Sequence, residues 1–321
     1  MSVTKFFFAA VWAAVSVVAG LSAEAPRDTA PREINVSYVR SPFNLPDIVM
    51  RKQGLLEKAF AAQGVKVNYY DIDSGAEQAR ALASGSLDVA GVMGDTSVLV
   101  SAGAGNDIRI VGGFSRPANM FSIVAMDPGI TSVDGLKGKR IAGPKGTVLH
   151  QLLAAALVSR GMGMGDVDFI QMDIPKSRAA LLAGKVDVAL LAGSLTLKTL
   201  EAGGHIVATA KGYVSPTLVI AARGSFLRDH PAAVRTYLEA NAAALDWSKA
   251  HLDEALEIGA EDQGISVSDA RKLYEWTEFV TKLSAGDVKT MGDDVAFMVE
   301  NGMMQKTLDP RDFIEGSAIA Q

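Results

Sequence analysis

The chain contains no cysteine. That one absence removes disulfides, thiolate metal centres, CxxC redox pairs and cysteine nucleophiles together. Histidine is scarce too: His150, His205, His230 and His251 are the four in 321 residues. None forms an HxxxH or HExxH pair, and no G-x-S-x-G elbow or Walker A loop is present. Gly103-Ala104-Gly105 and the run Gly161-Met162-Gly163-Met164-Gly165 match neither nucleotide pattern and read as helix-ending turns. Positive charge is in slight deficit, 31 Lys and Arg against 36 Asp and Glu, for a net charge of −5. No basic patch interleaved with aromatics occurs, so a nucleic-acid partner and a polybasic membrane anchor are both excluded. With no nucleophile–base pair and no cofactor motif, nothing supports an enzyme or a bound cofactor or metal.

Long apolar runs are lacking as well, with one exception at the start. Lys5 precedes an uncharged stretch from Phe6 to Gly20, and small residues follow to Ala25. This is the order of a secretory signal peptide over residues 1–25, cut near Ala23 or Ala25. The competing reading, a membrane anchor, asks for about 20 apolar residues, and this run is shorter. With no cysteine to acylate behind it, the exported protein is expected to be unanchored and periplasmic.

What remains is ordinary globular composition, 49% hydrophobic and 21% charged, long enough for about two domains. Residues 33–39 alternate and read as a first strand. A helix is read over 46–63, a strand over 65–70, a helix from 76 and a buried strand over 87–92. The middle repeats the theme, with strands near 121–126, 140–142, 168–172 and 186–191. This alternation predicts an α/β fold with mostly parallel sheets. The stretches ALASGSLDVAGVMG (81–94) and ALLAGKVDVALLAG (180–193) echo each other, which indicates two copies of one architecture. A strand at 217–222 precedes helices over 230–250, 252–261, 268–280 and 290–301. One lobe is therefore expected to hold 26–115 plus 218–321 and the other 118–212, with a hinge near 115–120 and 212–217.

Five strand-to-helix turns carry the candidate chemistry: Asp73-Ser74-Gly75, Gly94-Asp95-Thr96, Lys145-Gly146-Thr147, Pro175-Lys176-Ser177 and Gly193-Ser194. Each aims free backbone N–H groups and the positive end of a helix at the cleft, a site for an anion. Hydroxyls of Thr96, Thr147 and Ser194 add donors. Taken singly, each turn reads first as an ordinary helix cap, and the anion reading rests on the convergence of several. His150, one turn into the helix after Gly146, is a cleft residue or a structural one. Arg116, at the hinge, is an anion ligand or a surface charge.

The segments 73–96, VDGLKGKRIAGPKGTVLHQLLAAAL (133–157), 181–193 and SPTLVIAARGSFLRDHPAAVRTYLEA (215–240) resemble the taurine, aliphatic-sulfonate and nitrate group of ABC-importer substrate-binding proteins. The resemblance covers nearly all of the chain behind the export segment. It implies a two-lobed fold of the type II periplasmic-binding-protein kind, monomeric, closing over one small-molecule ligand and docking on a membrane permease. It places in the cleft Ser41, Asn44, Ser74, Gly75, Gly94, Asp95, Thr96, Thr147, His150 and Ser194, with Tyr213 and Ser215 in a hinge-side loop. An organic sulfonate or taurine leads; nitrate, other small anions, a thiamine-pyrimidine precursor and a sensor role are the alternatives. Where many relatives carry an aromatic, this chain has Ala192-Gly193-Ser194, which predicts room for a bulkier group. Asp95 is expected either to meet the amine of a zwitterion or to cap its helix.

Overall fold

The computed structural model describes residues 30–117 and 119–320, so the export segment read at 1–25 lies outside the described residues. The strands run β1 (Glu33–Tyr38), β2 (Lys66–Asp71), β3 (Val89–Gly94), β4 (Ile108–Arg116), β5 (Phe121–Ala125), β6 (Arg140–Gly143), β7 (Asp168–Gln171), β8 (Val188–Ala192), β9 (His205–Thr209), β10 (Leu218–Arg223) and β11 (Glu278–Phe279). The helices are α1 (Leu45–Lys52), α2 (Leu55–Ala61), α3 (Gly75–Ser84), α4 (Asp95–Gly103), α5 (Val148–Val158), α6 (Ile174–Leu182), α7 (Ser194–Glu201), α8 (Gly224–Asp229), α9 (Pro231–Ala250), α10 (Leu252–Gln263), α11 (Val267–Glu275) and α12 (Ala285–Glu300). Among the described residues no helix is long and apolar enough to cross a membrane.

Two sheets flanked by helices make a two-lobed α/β fold with a helical C-terminal region, as expected, but the sheets are mixed rather than mostly parallel, with four parallel and five antiparallel pairings. The larger sheet has the order β11-β4-β10-β3-β1-β2 and the smaller β7-β6-β8-β5-β9. In each, three strands pair in parallel, β2-β1-β3 and β7-β6-β8, and an antiparallel strand joins the third. Such parallel strands end together at one edge of the sheet, where helices begin. The chain passes from the larger sheet to the smaller after β4 and returns before β10.

The sequence echo is a structural repeat. Asp88 accepts the Asn35 N–H at 2.9 Å and donates its own N–H to the Asn35 carbonyl at 2.8 Å. Asp187 does the same with Arg140, at 2.9 Å both ways. Each aspartate thus pins the third parallel strand to the first. Gly85 and Gly184, both with positive φ, end the preceding helices.

Several elements differ from the sequence reading, among them β9 (His205–Thr209), which it did not name. The helix read over 46–63 is two helices, broken where Gly54 takes the left-handed conformation at φ 60°. The helix read to 280 stops at Glu275, and Glu278 and Phe279 pair with the free edge of β4; the run Thr277 to Val280 favours extended backbone. β4 itself escapes a periodicity reading because Gly112 and Gly113 interrupt it. A Cβ at Gly113 would lie 2.9 Å from the Lys282 backbone, so close approach of that segment requires the glycine.

Candidate functional site

The edges where the parallel strands of both sheets end face each other across one small cavity of about 50 Å³. Its walls include Ser41 and Pro42 after β1, Asp73, Ser74 and Gly75 at the start of α3, and Gly94 at the start of α4. The smaller sheet contributes Pro144, Thr147, Val148 and Leu149 around the start of α5, and Ile174 at the start of α6. Val39, Phe121 and Leu218 supply apolar surface. No Lys or Arg is among the lining residues.

Helix starts at the cavity differ in their capping. Ser266 and Ser284 cap α11 and α12 by accepting an N–H three residues on, and Asp173 caps α6 likewise. Ser74 and Thr147 stand at the same position before α3 and α5 but make no such bond. The starts of α4 and α7 carry glycines, Gly94 and Gly193, and also lack a side-chain cap. First-turn N–H groups have no partner inside a helix. Two of these uncapped starts, those of α3 and α5, open onto the cavity with hydroxyl-bearing residues. The Ser74 hydroxyl makes no hydrogen bond among the described residues. Thr147 Oγ1 donates to the Pro144 carbonyl at 2.8 Å, which leaves its lone pairs as acceptors.

Glycines set the closeness of the two halves. A Cβ on Gly94 would lie 2.8 Å from Val148 Cγ2. Gly193 sits at φ 53°, and a Cβ there would lie 3.1 Å from Phe43 N and Pro42 Cα. The room expected from the Ala192-Gly193-Ser194 sequence is therefore taken up by the backbone of Pro42 and Phe43. Ser41 Oγ seals the contact by donating to the Ala192 carbonyl at 3.1 Å.

The cavity gathers five of the residues read from sequence: Ser41, Ser74, Gly75, Gly94 and Thr147. The others lie around it. Asn44 is buried behind the first loop, its Nδ2 donating to the Val39 carbonyl at 2.9 Å. Asp95 is buried, with Oδ1 accepting the Thr96 N–H at 2.7 Å. Thr96 Oγ1 donates to Gln151 Oε1 at 2.6 Å, and Ser194 Oγ to Gln263 Oε1 at 2.8 Å, so both hydroxyls bridge the lobes. Lys198 adds a third bridge, donating to the Gln263 carbonyl at 2.7 Å. Arg116 chelates Asp287 at 2.8 and 2.6 Å and reaches Glu278 at 2.8 Å. With Ser215 it borders a separate crevice near the crossing segments. Tyr213, partly buried, lines neither space and donates its N–H to the Ala210 carbonyl at 2.9 Å.

His150 lines a separate, wider cavity with Lys145 and Ser97. Its ring packs on Phe169 with centroids 5.1 Å apart, and Nδ1 accepts the Gly146 N–H at 3.4 Å. Burial, and then the Lys145 charge, push its pKa down to about 4, so the ring is neutral at neutral pH.

Of three further polar residues on the cavity wall, Gln78 and Ser97 were not singled out in the sequence and Asp73 was read only as part of its turn. Asp73 accepts the Arg40 N–H at 2.7 Å, and burial pushes its carboxyl above the usual range. Gln78 Oε1 accepts from the Ser37 hydroxyl at 2.8 Å, and its Nε2 donates to the Val92 carbonyl at 3.0 Å. Ser97 donates to the Gly146 carbonyl at 2.9 Å, closing one flank. Gln78 and Ser97 were legible in principle as polar residues in the first turns of helices that start at the cleft. The Asp73 turn was recognised, but the direction of its carboxylate was not.

The NMT1/THI5 like family model matches residues 58–255. The chain is 30% identical over 266 residues to the taurine-binding periplasmic protein of Escherichia coli strain K12, covering 77% of this chain and 81% of that one. Its fold is similar to that of the alkanesulfonate-binding protein SsuA from Xanthomonas axonopodis pv. citri bound to MOPS. The TM-score is 0.80 at 21% identity, over 89% of this chain and 98% of that chain. The periplasmic aliphatic sulphonate binding protein SsuA from Escherichia coli gives a TM-score of 0.72 at 20% identity, over 90% and 99% of the two chains.

Proposed function

The chain belongs to the NMT1/THI5-like family, and from that premise we propose that it is a periplasmic, monomeric solute-binding protein of an ABC importer, not an enzyme. It captures a small organic anion in the cavity between its lobes and delivers it to the permease. The carrying observation is the pair of uncapped helix starts, at Ser74 and Thr147, that open on one cavity from opposite lobes. Backbone N–H groups and helix dipoles there supply partial positive charge without a full cation. An oxyanion held that way is desolvated by closure and released when the lobes part. The segments on either side of the smaller sheet, near 115–120 and 212–217, serve as the hinge.

The walls favour an organic sulfonate over a bare inorganic anion. Val39, Phe121, Ile174 and Leu218 cover an alkyl group better than they cover water. The cavity is small, so the organic part is short. Asp73 favours taurine among the sulfonates, because a carboxylate beside an anion is repulsive unless the ligand also brings an ammonium group. The sulfonate- and taurine-binding names among the chain's relatives support the same class.

A thermal-shift panel of taurine, ethanesulfonate, nitrate, sulfate, bicarbonate and pyrimidines tests the reading. A ligand at 100 times its Kd stabilises the protein by about 2.7 kcal/mol. Shifts are expected with taurine and ethanesulfonate. A shift only with nitrate or a pyrimidine would overturn the sulfonate assignment while keeping a solute-binding role.

A further inference from the structure

Gln151 joins the lobes at a point off the cavity wall. Its carbonyl accepts from Thr96 Oγ1, and its NH2 donates to Asp294 of α12. Thr96 and Asp294 belong to helices on the larger sheet, whereas Gln151 lies on α5, which follows β6 of the smaller one. Beside this bridge sits Asp95, 1% exposed. One carboxylate oxygen is satisfied by the Thr96 N–H; the other, Oδ2, is buried with no hydrogen-bond partner among the described residues. A buried carboxylate oxygen without a donor is costly in the ionised state.

The charges around it do not offset that cost. Asp294 and Asp287, both on α12, act on Asp95, and both are acidic. Asp287 is neutralised by Arg116 of β4, whose guanidinium is also shared with Glu278. Asp293 acts on Asp294 and pairs with Lys289 at 2.6 Å. Arg80 on α3 pairs with Glu77, and Arg223 on β10 with Asp88. α5 adds His150, which stays neutral beside Lys145.

We propose that the cleft closes on a proton: the Thr96–Gln151–Asp294 bridge draws α5 over Asp95, and the Asp95–Asp294 pair takes up one proton as it is sealed from water. The inference rests on the proposed function above, in which the lobes close over a ligand. In the open state both carboxylates meet water and titrate near 4. In the closed state burial pushes both up, Asp294 to about 6, and the neighbouring Asp294 raises Asp95 further. A group raised in the closed state favours closure fully below its open-state value, and that favour is lost as pH rises through the closed-state value. This pair therefore makes ligand affinity fall as pH rises from about 4 through 6 and above, by up to about tenfold per pH unit for one proton. His150 works in the opposite sense where its burial accompanies closure.

Isothermal titration calorimetry at pH 6, in two buffers of different ionisation heat, counts the protons. Taurine and ethanesulfonate are the probes, since neither titrates near that pH. The wild type is expected to take up on the order of one proton more per ligand than Asp95→Asn; His150 is present in both and cancels. Asp294→Asn is expected to reduce the uptake as well, and it carries the test alone if Asp95→Asn does not fold. Binding with equal proton counts in the wild type and the variants overturns the proton latch and leaves the proposed function standing. An absence of binding heat with both probes counts against the proposed function and takes the latch down with it.

Discussion

Asp73 is the residue on which ligand identity turns. It is the one acidic side chain among the described residues of the cavity wall; the Arg40 N–H donates to its Oδ1 at 2.7 Å, and the Ser41 backbone N–H also bonds it. If that carboxylate meets the ammonium of taurine, Asp73→Asn should weaken taurine by about 10- to 100-fold, the size of a lost hydrogen bond to a charged group. Ethanesulfonate, which has no amine, should bind the variant at least as well as the wild type. Competition titrations with the two ligands check this, and an equal loss for both would make Asp73 a structural residue of the first loop. The residue types at the cleft were readable from sequence, but their directions were not. Thr96 and Ser194 were read as ligand hydroxyls because they start helices; in the fold they turn to Gln151 and Gln263, 55 and 69 positions away.

Helix starts carry the next level of the argument. Asp, Ser and Thr before a helix are caps or ligand donors, and sequence alone favours the cap for any single turn. The fold separates them by what each side chain does. Ser266 accepts the Asp269 N–H at 3.0 Å and is a working cap; Ser74 is not. Ser266→Ala should therefore cost about 1 kcal/mol of stability and leave ligand affinity unchanged. Ser74→Ala should do the reverse, lowering affinity several-fold with melting temperature nearly constant. Thermal melts paired with titrations read both. If Ser74→Ala destabilises as a lost cap would, the start of α3 leaves the ligand site. The echo at 81–94 and 180–193 was legible because Asp88 and Asp187 do the same local job, pinning one strand to its neighbour. The breaks at Gly54 and at Glu275 were not, because an isolated glycine inside a helical pattern does not by itself end the helix and the second break depends on a free sheet edge.

Across the whole molecule, the two lobes meet through surfaces too close for side chains at certain points. Gly94 faces Val148 across the cleft. Gly94→Ala should leave the ligand-free protein's melting temperature nearly unchanged, since the clash arises only when the lobes close. It should weaken binding by about 1–3 kcal/mol, the usual cost of overpacking. Small-angle scattering adds a direct reading, with ligand contracting the wild type more than the variant. Equal contraction and equal affinity would mean that the closed contact yields by a shift of Val148 alone.

Sequence by itself determined the composition class, the strand–helix alternation and the duplicated unit, because these depend on local periodicity and on short runs whose physics is local, and the resemblance of several segments pointed to the family. It also named the turns at which a ligand could be held. Only the tertiary structure decided which of those turns share a cavity, how small that cavity is, and which hydroxyls bridge lobes instead of facing it. The reason is physical: strand and helix propensities act over a few residues, whereas the cleft is built from backbone edges and glycine contacts between segments more than a hundred residues apart, such as Ser41 against Ala192.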